Sequence, residues 1–304
     1  TGIKPAMENA GKMENKGWDL TVSWRSNIGK DFKYNIGFNL SDVKNKVIDL
    51  RGYKSSTTEL TAKIEGQPLN AIFGFETLGI CDNQELYDKY APMMQKYNPK
   101  WGMGDIIIKD RTGEGVINDE DRTVIGNSIP RFTFGLNLGF EYKGFDFSCF
   151  FQGVGKQDWY PSSECIFWGQ YNRPYNNMPT WHQDNYWTEK NPNAYLPRYT
   201  GYNSSVKSTV QTRYLQNVAY IRLKNLQIGY NLPKQFVSKA CIQNARVYLS
   251  AENLWCWSPL YKHTRDLDVT NIYGSDVDLT DGGSGDGNSY PQMKSISLGL
   301  SLTF

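Results

Sequence analysis

The chain of 304 residues carries 33 basic against 31 acidic side chains and has a mean hydropathy of −0.58. No apolar run approaches the roughly 18 residues of a membrane helix, and the balanced charge gives no polyanion-binding signal, so membrane helices and nucleic-acid partners are excluded. A low average does not exclude a β-barrel, whose strands of about 9 to 11 residues dilute apolar content by half.

Aromatic residues make up 14%, with 9 Trp and 20 Tyr. That suits rings placed at lipid headgroups or in binding loops. In chain order, Trp18, Leu20, Val22 and Trp24 alternate with Asp19, Thr21, Ser23 and Arg25. After a turn over 27–31, Phe32, Tyr34, Ile36, Phe38 and Leu40 alternate with polar or small residues. A period of two puts the two sets on opposite faces of a sheet, so this predicts a hairpin with one apolar face.

The weaker elements come next. Ala71 to Gly79 predicts a strand, and Gln84 to Lys96 a short helix interrupted by Pro92, neither spanning a membrane. A second hairpin runs through Phe132, Phe134, Leu136, Leu138 and Phe140, turns at 142–144, and returns through Phe145, Phe147, Cys149 and Phe151. A long strand over about 214–230 starts with Ala219, Ile221 and Leu223 in one phase and ends with Leu226, Ile228 and Tyr230 in the other; a bulge near Lys224-Asn225 reconciles them. Val247, Leu249 and Ala251 mark the sixth strand. Ile296, Leu298, Leu300, Leu302 and Phe304 mark the seventh, ending on an aromatic residue.

At about 3.3 Å per residue and a tilt near 45°, a ten-residue strand covers roughly 23 Å of membrane normal, the height of an outer-membrane apolar band. The connections are one-sided: 27–31 and 142–144 are tight, whereas 42–129, 153–213 and 254–290 are long. Short periplasmic turns opposite long external loops give this asymmetry. The polar face is rich in Gly, Ser, Thr and Asn and carries Arg25, Lys33, Glu141, Asp146, Arg222, Lys224, Arg246 and Glu252. Such a face fits a wide wet lumen, which seven strands do not close, so the chain is expected to be a portion of something larger.

Val218 to Pro233 (VAYIRLKNLQIGYNLP) closely resembles a segment near the end of SusC/RagA-like TonB-linked outer-membrane proteins. Asn9–Leu20, Gly126–Gly144, Trp187–Arg198, Leu249–Leu254 and Tyr290–Phe304 resemble further segments of that family in the same order. The resemblance implies an all-β fold, an antiparallel transmembrane β-barrel of 22 strands, of which residues 1–304 form the carboxy-terminal part. The amino-terminal plug domain and TonB-contacting segment would precede this chain. It further implies a SusD-like surface lipoprotein partner, TonB, outer-membrane lipid around the wall, and uptake of an oligosaccharide or peptide in a Gram-negative, Bacteroidetes-like cell. Phe304 resembles the terminal aromatic recognised by barrel assembly machinery.

Three sets of residues are candidates for chemistry. Asp110, Thr112, Glu114, Val116, Asn118 and Asp121 sit at positions 1, 3, 5, 7, 9 and 12 of a calcium-loop frame with Gly115 at position 6. Alternate oxygens there converge on an ion, with Val116 lending its carbonyl. Thr112, Glu114 and Asp121 depart from the preferred ligands, and the alternative is an acidic turn held by Asx and Gly geometry. The second set is the aromatic crowd over 159–202, including Trp159, Tyr160, Trp168, Tyr171, Trp181 and Trp187. These rings would stack on sugars, or pack a loop of about 60 residues that needs a core of its own.

The lumen charges are the third set, as substrate guides or wall salt bridges. Five cysteines without CxxC pairing and two histidines, His182 and His263, without a neighbouring Cys or His give no zinc or triad signal. The expectation is therefore a transporter and not an enzyme. The alternative is a soluble or surface glycan-binding β-sandwich, which leaves the apolar strand faces and the one-sided loops unexplained.

Overall fold

Strict two-residue alternation builds the wall of the molecule. In the computed structural model, which describes residues 11–52, 61–69, 71–161, 179–199, 209–237, 242–272, 284–285 and 290–304, seven long strands form one sheet: β1 (Lys12–Ile28), β2 (Phe32–Asp49), β3 (Arg131–Tyr142), β4 (Phe145–Lys156), β5 (Tyr220–Asn231), β6 (Asn244–Trp257) and β7 (Ser295–Thr303). Each strand pairs antiparallel with the next in sequence. This is the up-and-down order of a barrel wall. Among the described residues no helix is long and apolar enough to cross a membrane.

The register aligns the apolar phases across the whole sheet. One row runs Trp24, Ile36, Leu138, Cys149, Leu226, Ala251 and Ile296 through directly opposed pairs. Slipping any strand by one residue would turn its apolar set into the polar row. The apolar side chains are bare: Trp24 is 60% exposed and Leu298 77%. Nothing among the described residues covers that face, so the β-sandwich alternative fails, because a sandwich buries its apolar face against a second sheet. Trp255 and Trp257 stand near the long-loop end of this face, and Tyr142, Phe145 and Tyr230 near the short-turn end. Rings at two heights match two headgroup levels.

The tight turns fall where expected. Lys143 (φ 45°) and Gly144 (φ 90°) both take positive φ between β3 and β4, the geometry a two-residue hairpin turn requires. The bulge lies between Leu223 and Asn225 and shifts the pairing of β5 with both neighbours. It turns Leu226, Ile228 and Tyr230 to the same side as Leu223. Two expectations shift at their ends: β5 begins at Tyr220, with 216–217 in a separate small strand, and β1 and β2 reach 17 and 18 residues, well beyond the roughly 9 to 11 that a membrane strand needs.

Those loops fold together. Helix α1 (Gln84–Tyr97) is continuous through Pro92, contrary to the expected interruption; Asn83 caps its start by accepting from Leu86 N (2.9 Å). The segment 71–79 forms two strands, not one: Ala71–Phe75 pairs with Arg122–Asn127, and Thr77–Ile80 with Ile106–Ile108. Ile72, Phe75, Met94, Trp101 and Ile106–Ile108 from the first long loop pack with Trp159, Leu196 and Tyr214 from the second and Leu260, Leu267 and Ile272 from the third. One core thus unites three loops into a cap over the outer end of the wall.

Candidate functional site

The polar face of the wall is a field of neutralised charge. On β4 and β6, Arg246 grips Asp146 through Nε (2.9 Å) and Nη2 (2.5 Å), a two-pronged contact that fits the guanidinium fork. Gly229 on the strand between them makes room, since a Cβ there would lie 2.4 Å from the Asp146 carboxylate and 2.5 Å from the guanidinium. On this face Lys33 lies 3.5 Å from Glu141 and Ser41 bonds Thr133 at 2.6 Å, whereas the paired contact of Arg131 with Asp42, its Nη2 at 2.7 Å, belongs to the other face toward the long loops, where Asp42 stands opposite Trp18. Of the eight predicted wall charges, Arg25, Lys224 and Glu252 have no ion pair among the described residues. A trough of about 650 Å³ over β1 to β4 is lined by Arg25, Asn35, Glu141, Asp146 and Ser148. Phe150 also faces this side, opposite Asn137 and Asn225.

At the long-loop end of β5, Arg222 is buried against the third long loop. Its Nη2 donates to Asp268 (2.5 Å), and both side chains are about 5% exposed. Asp268 also accepts from Thr270 N (2.9 Å), Thr270 Oγ1 (2.7 Å) and Gln292 N (2.8 Å). Gln292 Oε1 in turn accepts from Arg222 (3.2 Å) and Lys224 (2.7 Å). Burial works against the Asp268 carboxylate, but these donors and the Arg222 charge win and hold its pKa below the usual range. The clasp ties the third loop to the wall. Sequence had suggested Arg222 and Lys224 as lumen charges; their partners lie tens of residues away and left no local signal.

The acidic loop is closed on itself. Asp110 accepts from Gly113 N (2.6 Å), Gly115 N (2.7 Å) and Thr112 Oγ1 (3.2 Å). The Gly115 donor is the largest cause holding its carboxyl below the ordinary pKa. Asp121, fully buried, accepts from Arg111 N (2.8 Å), Thr112 N (3.1 Å) and Asn118 N (3.0 Å), while Asn118 caps the short turn that follows. Glu114 and Val116 are exposed. Among the described residues no three His, Cys, Asp or Glu side chains converge as a metal set. The residues fit an Asx-held turn rather than a calcium cage, so no role is derived through the ion.

The aromatic candidates divide. Trp168 and Tyr171 lie outside the described residues. Trp159 is fully buried, Tyr160 2% and Trp187 8% exposed, all within the cap, with Trp181 packed beside them. Their ring faces meet protein. The histidines, isolated in sequence, join the same cluster: His182 stands edge-on to Trp181 at 4.3 Å and His263 stacks on Tyr195 at 4.0 Å. Burial pushes the Tyr195 hydroxyl up to about 12 and the buried Cys81 thiol to about 11. Cys81, Cys149 and Cys256 are free thiols; Cys165 and Cys241 lie outside the described residues. Phe304, 75% exposed, follows the last paired residue of β7.

No family model matches the chain. Its whole length aligns with TonB-dependent receptors P3 and P26 of Formosa agariphila, 28% identical over 317 and 327 residues, and 98% of it with TonB-dependent receptor SusC of Bacteroides thetaiotaomicron at 21%. The chain spans about 30% of the length of these relatives. The solved RagAB peptide transporter superposes with a TM-score of 0.67 at 23% identity, covering 98% of this chain and 30% of that one. A likeness of that order establishes a shared fold, that of part of a TonB-linked outer-membrane barrel, and along its whole length the chain is similar to SusC/RagA-like TonB-dependent receptors.

Proposed function

We propose that the receptor to which this chain belongs imports a large nutrient, an oligosaccharide or a peptide, across the outer membrane of a Gram-negative, Bacteroidetes-like cell. A SusD-like lipoprotein closes over the mouth, and TonB, acting on a plug supplied by the rest of the receptor, provides the energy. The observation that carries this reading is the seven-strand register, which sets one continuous bare apolar face against a polar face of paired charges, below a cap built from all the long loops. Only a membrane satisfies the first face, and only a wet lumen the second. The names of the aligned relatives and the RagAB superposition support it. The receptor performs no covalent chemistry in this reading.

The test is genetic and biochemical. Deleting the gene in its host is expected to abolish growth on one class of polymer, with TonB dependence and co-purification of a surface lipoprotein. The full-length protein should extract only with detergent and migrate heat-modifiably on gels. A water-soluble monomer whose loss leaves growth on every glycan and peptide source unchanged would overturn the proposal.

A further inference from the structure

One concavity belongs to the cap rather than to the lumen wall. It is a cleft of about 510 Å³ among the three long loops, lined by Arg213, Lys262, His263, Thr212, Thr77 and Leu78 among others. Its charge is one-signed, for the lining holds two cations and a histidine and not one carboxylate. Several arginines of the wall and cap meet acids, as Arg246 meets Asp146, Arg222 meets Asp268 and Arg198 meets Asp105. Arg213 has no such acid among the described residues, and unlike the exposed Arg25 it is half-buried. It is pinned by donating Nε to Tyr195 O (2.7 Å) and Nη2 to Ala194 O (2.9 Å), over the Tyr195 ring at 5.0 Å.

A guanidinium has five N–H donors, so these two bonds leave three without a partner among the described residues. Holding a half-buried cation without an anion is costly, and a fixed fork suits a planar two-oxygen acceptor. Lys262 adds a second charge from the third loop. The positive field reaches His263, where burial first, then Lys262 and Arg213, disfavour protonation.

We propose that this cleft binds a carboxylate of an oxygen-rich or amide ligand, with Arg213 as the bidentate anchor and Lys262 as a second charge. The hydroxyls of Thr77 and Thr212, 2.8 Å apart, and the exposed Leu78 at the rim provide polar and apolar contacts beside the anchor. Two sources share that chemistry, an acidic sugar of an oligosaccharide and the free carboxy terminus of a peptide. The identity of the ligand rests on the import reading, whereas the site itself does not.

The experiment titrates the purified full-length receptor with trigalacturonate, its methyl ester, hexa-alanine with a free carboxy terminus, and the same peptide amidated. One acid probe is expected to bind about tenfold or more tighter than its neutral counterpart, the difference one charge-assisted contact makes. Preference among the acids identifies the source. Lys262→Gln, which removes no hydrogen bond of the cap, should weaken that acid severalfold, and adding Arg213→Gln should abolish the acid-over-neutral preference; near-UV circular dichroism reports whether the cap stays folded. Equal binding of acid and neutral probes, or acid binding unchanged in both variants, overturns the site. If uptake continues while the variants bind as wild type, the cleft assignment falls and the import reading stands; acid-selective, variant-sensitive binding in a receptor that imports nothing gives the reverse.

Discussion

Asp121 shows how one side chain decides a local structure. Its carboxylate is fully buried and takes three backbone N–H groups across the turn 110–121. Asp121→Ala leaves those donors unmet and is expected to cost the cap about 2 kcal/mol, seen as a lower thermal midpoint and faster proteolysis within the first long loop. Because the carboxylates are already occupied, the wild type should melt at the same temperature with calcium and with chelator; a calcium-dependent rise would show a cage after all. The spacing of oxygens was plain in the sequence, but not the direction in which they point. His263 gives a pH prediction. Burial beside Lys262 and Arg213 lowers its pKa below 6.5 in the fold, so an unfolded chain takes up a proton that the folded one refuses. Stability is therefore full above about pH 6.5 and falls as the pH drops toward the depressed value. Melting curves of wild type and His263→Asn between about pH 5 and 8 should diverge only on the acid side.

At the scale of the strand, register turns alternation into two surfaces, and adjacent residues have different fates. Leu298 faces lipid opposite Leu249, while its neighbour Ser297 faces the lumen opposite Ser250. Leu298→Arg is expected to destabilise the folded barrel by about 2–4 kcal/mol if near the midplane, and Ser297→Arg by far less; urea unfolding of full-length receptor in lipid, read by heat-modifiable migration, checks the contrast. Equal effects would mean that the faces are misassigned. All seven wall strands, their two tight turns and the bulge at Leu223–Asn225 were legible, because a two-residue period and its phase change are properties of consecutive residues. Of the short strands of the cap, those over 71–80 were legible only as one run over 71–79. Ala71–Phe75 is buried throughout with no wet face to alternate against, Thr77–Ile80 is only four residues long, and their partners lie about 30 to 50 residues further along the chain. Pro92 was misread as a break for the opposite reason: α1 is held by the packing of Ala91 and Met94, which tolerates one missing hydrogen bond.

Across the whole molecule the wall and the cap obey different physics. The wall is bare on one side and needs a bilayer, and its two outer strands, β1 and β7, await the rest of the barrel. Removing Phe304 is expected to lower the amount of receptor inserted in the outer membrane while leaving the uptake rate per inserted molecule near wild type; normal insertion with lost uptake would refute an assembly role. The cap, by contrast, is a small water-facing fold with its own core, and it draws Trp159, Tyr160 and Trp187 inward. Rings that composition offered for sugar stacking thus became core, while Arg213 and Lys262, which drew no notice in sequence, came to face one cleft. The sequence by itself determined the wall, its two faces and which connections are long, because lipid and water impose a repeating demand on every second residue. Only the tertiary structure decided what the loops do. Their contacts join residues far apart in the chain, and burial, charge pairing and the direction of a carboxylate are settled by neighbours that no local pattern records.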